Sequence, residues 1–253
     1  RTQHTSWYNE TLNTSTRGAR KEFPAVAVIV ATASGVTIYD GDDPDMPMWM
    51  VFVKTTPIFG RSNAWGGISC CSMMNGTLAL GNPSSSAEGL LKVNFISDDG
   101  FLYPITSYSE YGGAYTSNIA SRASSYAYDT AGATVIVSAP VNDVAMTVLP
   151  NAPIDADTGL PVPTIAVATD GGVSVIKDDG TVVDIKYVAH TSVGSVHFNS
   201  LNHLLFSVGA GNRQNLKVHF TIPSSDQHNA QAGYQSSQED LQYGNSSVTH
   251  DIS

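Results

Sequence analysis

The residues best placed to do chemistry are Asp40-Gly41-Asp42-Asp43-Pro44-Asp45, a run dense in carboxylates. Ca²⁺ prefers several carboxylate and carbonyl oxygens in a compact loop. The run lacks the spacing and terminal Glu of an EF-hand, and Asp, Gly and Pro are also ordinary turn residues. Asp40, Asp42, Asp43 and Asp45 therefore read first as a solvated loop between strands and second as a Ca²⁺ site. His190, His197, His203 and His219 match no metal-ligand spacing and read as polar strand positions, so no cofactor is expected.

A second set is aromatic. Trp7, Trp49, Trp65 and the tyrosines of the Ser/Tyr/Gly-rich stretch from Thr106 to Asp129 could offer flat rings to a sugar or a partner surface. Tyr108, Tyr111 and Tyr115 are the candidate ligand-binding residues. Core and cross-strand packing is the competing role, and Trp49 between Met48 and Met50 reads as buried. No nucleophile elbow, Gly-rich phosphate loop, paired metal-binding histidines on a helix or Cys-His nucleophile stands in the required context, so the chain reads as non-enzymatic.

The elements that must carry these residues are short strands. An internal repeat organises them: Val30-Ala31-Thr32-Ala33-Ser34-Gly35-Val36 aligns without gaps to Val167-Ala168-Thr169-Asp170-Gly171-Gly172-Val173, continuing through Asp40 and Lys177. Leu91-Lys92-Val93-Asn94-Phe95 aligns to Leu216-Lys217-Val218-His219-Phe220, and Leu78–Gly81 parallels Phe206–Gly209. Each unit is strand, tight turn, strand, with Asp-Gly or Gly-Gly supplying left-handed conformations. Further turns fall at Asp98-Asp99-Gly100 and Asp178-Asp179-Gly180.

Strands are expected near 25–33, 36–40, 48–54, 67–74, 77–81, 90–97, 101–104, 133–138, 144–149, 164–169, 172–177, 181–188, 194–199, 203–208 and 216–222, with no long helix. The fold class is all-β, built from repeated antiparallel meanders. A meander cannot cover both of its faces and must stack on siblings, which points to a β-propeller or part of one, with a β-sandwich as the alternative. Residues 1–22 read as an N-terminal extension, 23–223 as the repeat domain with an irregular insertion near 106–129, and 224–253 as a polar, weakly packed tail.

Composition narrows the partners. With 12 Lys and Arg against 22 Asp and Glu, the chain carries a formal charge of -10, and the average surface field repels nucleic acid. No apolar run approaches the roughly 20 residues of a spanning helix. Cys70 and Cys71 are adjacent, lie on opposite faces of any strand and provide no disulfide framework, which suits a reducing cytosol. The chain begins at Arg1 with no charged-then-apolar leader and reads as a segment of something larger.

The segment from Val141 through Ile185, VNDVAMTVLPNAPIDADTGLPVPTIAVATDGGVSVIKDDGTVVDI, resembles repeats in uncharacterised propeller-type virion proteins of tailed bacteriophages. The stretches RGARKEFPAVAVIVA and TIYDGDDPDMPMWMVF look similar to the same proteins. The resemblance transfers no functional residue. It implies a structural or adhesive tail component, assembled in the host bacterial cytoplasm and carried in the virion. Its partners would be other virion proteins, further copies of the chain and host-surface glycan. A carbohydrate-binding or glycan-cleaving propeller is the alternative.

Overall fold

The computed structural model describes residues 2–60, 65–84, 87–106, 112–124, 128–131, 134–156, 159–187, 192–210, 213–219, 221–229 and 238–243. Alternating strands separated by turn residues fold into four successive sheets. The first holds β1 (Ala27–Thr32), β2 (Gly35–Asp40) and β3 (Met48–Val53). The second runs β4 (Cys70–Met74), β5 (Thr77–Gly81), β6 (Glu88–Asn94), β7 (Asp99–Pro104), β8 (Gly113–Tyr115) and β9 (Tyr128–Asp129). The third is β10 (Val141–Thr147), β11 (Thr164–Thr169), β12 (Gly172–Ile176) and β13 (Val182–Tyr187). The fourth is β14 (Val193–Phe198), β15 (Leu204–Ala210) and β16 (Arg213–His219).

The C-terminal stretch then returns to both of the last sheets. β17 (Gln227–Asn229) lies parallel to β13, whereas β18 (Gln238–Tyr243) lies antiparallel to β16. All other pairings are antiparallel neighbours in sequence, and no sheet closes on itself. The leading strands meet one another: β4 adjoins both β1 and β10, and β10 adjoins β14.

Three apolar clusters fill the spaces between sheets. Val36, Ile38, Trp49 and Phe52 of the first sheet pack on Leu78, Leu91, Val93 and Phe95 of the second. Ala79, Leu90 and Tyr103 on the other face of the second sheet meet Val144, Ile165, Val167 and Ile176 of the third. Ala166, Ala168, Val173 and Val175 then meet Val196, Leu204 and Phe206 of the fourth. Period-two alternation thus gives the second and third sheets two buried faces each. Cys70 and Cys71 obey it too, Cys70 packing on the second of these clusters and Cys71 on the first, and both are free thiols.

The N-terminal segment is part of this core. Trp7 is fully buried and donates its indole N–H to Phe95 O at 2.7 Å. Arg17 forms an antiparallel bridge to Met50 beside β3, and its guanidinium lies 4.5 Å over the Trp49 ring while donating to Trp49 O and Lys21 O. Arg122 clamps the same segment through Glu10 Oε2 at 2.9 Å and Thr16 O at 3.1 Å. Burial lowers the Arg17 pKa to about 10, with Glu10 opposing that shift.

The described residues refine the expected plan of elements. Residues 134–138, the described part of the strand expected at 133–138, are not a strand: Ile136 is a buried plug whose N–H reaches Pro104 O, and Val137 N–H reaches Ser174 Oγ. Its apolar character serves a crossing between the second and third sheets. The region near 106–129 adds β8 and β9 to the second sheet, and the polar tail adds β17 and β18, because backbone pairing needs no apolar side chains. The repeated hairpin also occupies two positions. It forms strands one and two of the first sheet but strands two and three of the third.

Candidate functional site

The acidic loop closes around a cation that the chain supplies itself. Arg20 Nη1 donates to both Asp40 oxygens at 2.8 and 2.9 Å and to Asp42 Oδ2 at 2.7 Å. Asp42 also accepts from the N–H groups of Ala25 and Val26, and Asp43 Oδ1 accepts from Asp45 N–H. The Asp42 carboxyl sits below its ordinary pKa chiefly because Ala25 N–H stabilises the anion, with Arg20 adding to it. Asp40 and Asp42 thus spend their oxygens on protein donors. Among the described residues no group of three or more His, Cys, Asp or Glu is arranged to hold a metal ion.

Tyr108 and Tyr111 lie outside the described residues. Tyr115 is only 3% exposed, donates its hydroxyl to Ser121 O at 3.1 Å and packs on Tyr128, so its ring offers no platform to a ligand. Trp7, Trp49 and Trp65 are likewise buried. His203 contacts Asn199, and His197 is exposed on β14. Among the described residues the aromatic candidates are not brought together at a surface.

It does bring together residues far apart in sequence. A groove of about 350 Å³ opens between the second and third sheets, floored by Tyr103, Ile165 and Ile176. That volume falls at the lower end of the range for small-molecule sites. Its walls carry Lys92 and Asp99 from the second sheet, Asp155 from the loop before β11, and Lys177 and Asp178 at the end of β12. The Lys92 ammonium lies 5.9 Å from the Phe101 ring centre and 6.0 Å from that of Tyr103, which holds it over the groove by cation–π attraction.

Asp99 is exposed along this groove yet crowded by protein, and the crowding raises its pKa above the ordinary carboxylate value. The charges of Asp155 and Asp98 push the same way. Lys92 and the nearby Ser97 hydroxyl, itself buried without a well-formed hydrogen bond, oppose the shift. Asp179 behaves oppositely: its carboxylate accepts from Thr181 Oγ1 at 2.6 Å and Thr181 N–H at 2.9 Å, and its pKa falls.

Sequence reading treated Asp98-Asp99-Gly100 and Asp178-Asp179-Gly180 as turns alone. Asp178-Asp179-Gly180 is a turn, whereas Asp98 ends a turn from which Asp99 and Gly100 open β7, and the recurrence of the same tripeptide on facing sheets is the signal that could have located the groove. Among the described residues no helix is long and apolar enough to cross a membrane. The chain matches no protein-family model and no curated protein sequence.

Proposed function

We propose that this chain is a β-propeller-type repeat module acting through protein–protein contacts, as a structural or adhesive component of a bacteriophage tail. The observation that carries the architectural part is the serial contact of leading strands, β1 to β4 to β10 to β14, across successive meander sheets. In a propeller the blades pack face to face around a central channel, which brings their innermost strands next to one another. Pairing of Arg17 beside β3 gives the first sheet a further element from the N-terminal segment, as a blade with a late-joining strand would have.

The tail role rests on the resemblance of the Val141–Ile185 segment, and the acidic, weakly charged composition suits a module with protein rather than nucleic-acid partners. Cryo-electron microscopy of purified native particles tests it. Symmetric copies of the chain in the tail are expected, and particles lacking the chain would overturn the reading.

The groove supports a second reading, a saccharide site. Hydroxyl groups both donate and accept, and the walls present ammonium donors and carboxylate acceptors around an apolar floor. Titration of the ¹⁵N-labelled chain with lactose, sucrose and N,N′-diacetylchitobiose should shift the side-chain amides of Asn75 and Asn94 at the groove. Lys92→Ala and Asp99→Asn should each weaken the response about tenfold, the scale of a lost hydrogen bond to a charged group. No shift with any of the sugars would remove this reading, and release of reducing sugar from a longer glycan would extend it to cleavage.

A further inference from the structure

We propose that the groove between the second and third sheets selects a sugar bearing a free, cationic amine, with the ammonium seated at Asp99 and the sugar hydroxyls on the polar groups beside it. This rests on the saccharide reading of the groove and names the class of sugar. The register of β5, β6 and β7 sets the cross-strand row Thr77–Asn94–Asp99, followed on the same face by Ala79–Lys92–Phe101. That face packs on the third sheet through Ala79, Leu90 and Tyr103. The polar row therefore stands where the apolar contact between the sheets gives way to the groove.

The row is held inside the protein with hydrogen-bonding capacity unspent. Thr77 is only 4% exposed, and a hydroxyl so buried ordinarily has a partner. No described group hydrogen-bonds the Thr77 Oγ1, which opens onto the groove. Asn94 Oδ1 accepts from the N–H groups of Ile96 and Ser97, which leaves its amide N–H groups to donate. The Lys92 ammonium lies over the Phe101 and Tyr103 rings and makes no salt bridge with a described residue. Sugar hydroxyls, which donate and accept, complement a hydroxyl, an amide and an ammonium placed side by side.

The charges choose the amine. Lys177 Nζ donates to Ser224 O, and Asp179 is engaged by Thr181, so these two charges are already occupied. Asp99 and Asp178 have no salt-bridge partner among the described residues. Crowding by protein and the charges of Asp155 and Asp98 disfavour the Asp99 anion. A ligand ammonium relieves that repulsion, whereas a neutral hydroxyl leaves it in place. Asp99, Asp155, Asp178 and Asp179 outnumber Lys92 and Lys177 along the groove, so the local field, like that of the whole chain at -10, draws a cation. An anionic sugar meets the opposite balance.

Chitobiose and N,N′-diacetylchitobiose share one sugar backbone, and only the first carries free amines. Both are titrated into the ¹⁵N-labelled chain at about pH 6.5, where an amine with a pKa of about 8 is protonated, and read at the side-chain amides of Asn75 and Asn94. Chitobiose should bind at least about tenfold more tightly, the scale of a charge-assisted hydrogen bond. Asp99→Asn should bring the two affinities within about twofold of each other. Lys92→Ala should weaken both sugars yet widen the preference, because it removes a like charge, and Asp179→Asn should leave the preference unchanged. Should Asp99→Asn disturb the backbone amide spectrum, Asp178→Asn takes its place and should narrow the preference. Equal binding of the two sugars, or a preference that survives both Asp99→Asn and Asp178→Asn, overturns the amine while the saccharide reading stands. Ethylenediamine binding as tightly as chitobiose shows that a bare cation suffices and overturns the proposal, and silence with both sugars overturns the saccharide reading with it.

Discussion

The β1–β2 hairpin and the β11–β12 hairpin carry the same motif and meet opposite surroundings. β11 is buried at every position from Thr164 to Thr169, whereas β1 is partly or fully exposed at every position from Ala27 to Thr32. Turn geometry and Thr-to-backbone hydrogen bonds are shared, so these are local properties of the sequence. Burial is not local. It depends on whether β10 pairs alongside and whether another sheet stacks on the outward face, and β1 has neither among the described residues. The comparison separates what a hairpin encodes from what its neighbours confer.

The sharpest way to break the equivalence is at the turn glycines. Gly35 and Gly172 have φ of +142° and +132°, and a Cβ on either would lie 2.0 or 2.3 Å from a carbonyl oxygen of the strand that follows the hairpin, Phe52 O or Ile185 O. Gly35→Ala and Gly172→Ala should each cost on the order of 3 kcal/mol, from backbone strain plus forced strand displacement. Urea unfolding of both variants measures it. A silent Gly35→Ala beside a damaging Gly172→Ala would show that the two hairpins are not built alike.

Val30→Ala and Val167→Ala test the surroundings instead. Val167 is fully buried, so losing two methyl groups there should cost about 2 kcal/mol, while the 40% exposed Val30 should change stability by no more than about 0.5 kcal/mol. Equal losses would mean that β1 is covered in solution. A smaller contrast is expected at the hydroxyls. Thr169→Val should cost about 1 kcal/mol or more, because Thr169 is fully buried and Gly172 O and Gly171 N–H would lose a partner, whereas water can replace the hydroxyl of the exposed Thr32.

The same division explains which features could be read from the residues alone. β2, β5, β11 and β12 were legible because alternating apolar residues run between Gly- and Asp-bearing turns, a signal contained within a few residues. β17 and β18 were not, since Gln, Asn, Asp and Glu give no apolar periodicity and the pairing partners lie in earlier sheets. The burial of Trp7 and Arg17 was equally hidden, because Phe95 and Trp49, which hold them, are far away in sequence. The groove is the extreme case. Its floor and walls come from two sheets, and reading both Asp-Asp-Gly tripeptides as turns gave no hint that they line one groove. Tyr115 misled in the opposite direction, an aromatic in a loop-like stretch that the second sheet buries.

Two copies of one tripeptide extend the argument to electrostatics. Asp99 and Asp179 occupy the same place in Asp-Asp-Gly, yet crowding at the groove raises the pKa of the first and hydrogen bonds from Thr181 lower that of the second. Folding therefore disfavours the Asp99 anion. The resulting loss of stability is fully present above its raised folded pKa and fades as pH falls through that value towards the ordinary carboxylate pKa of about 3.8. For Asp179 the stabilisation is present above the unfolded pKa and is lost only as pH falls through its lowered folded value. Asp99→Asn should accordingly raise the melting temperature at neutral pH, with the gain shrinking in acid, and Asp179→Asn should lower it at neutral pH, with the loss shrinking only in stronger acid. Thermal melts of both variants across the acid range measure the two trends. If both substitutions moved the melting temperature the same way, the groove would not be imposing its own environment on Asp99, and the turn alone would set the behaviour of both residues.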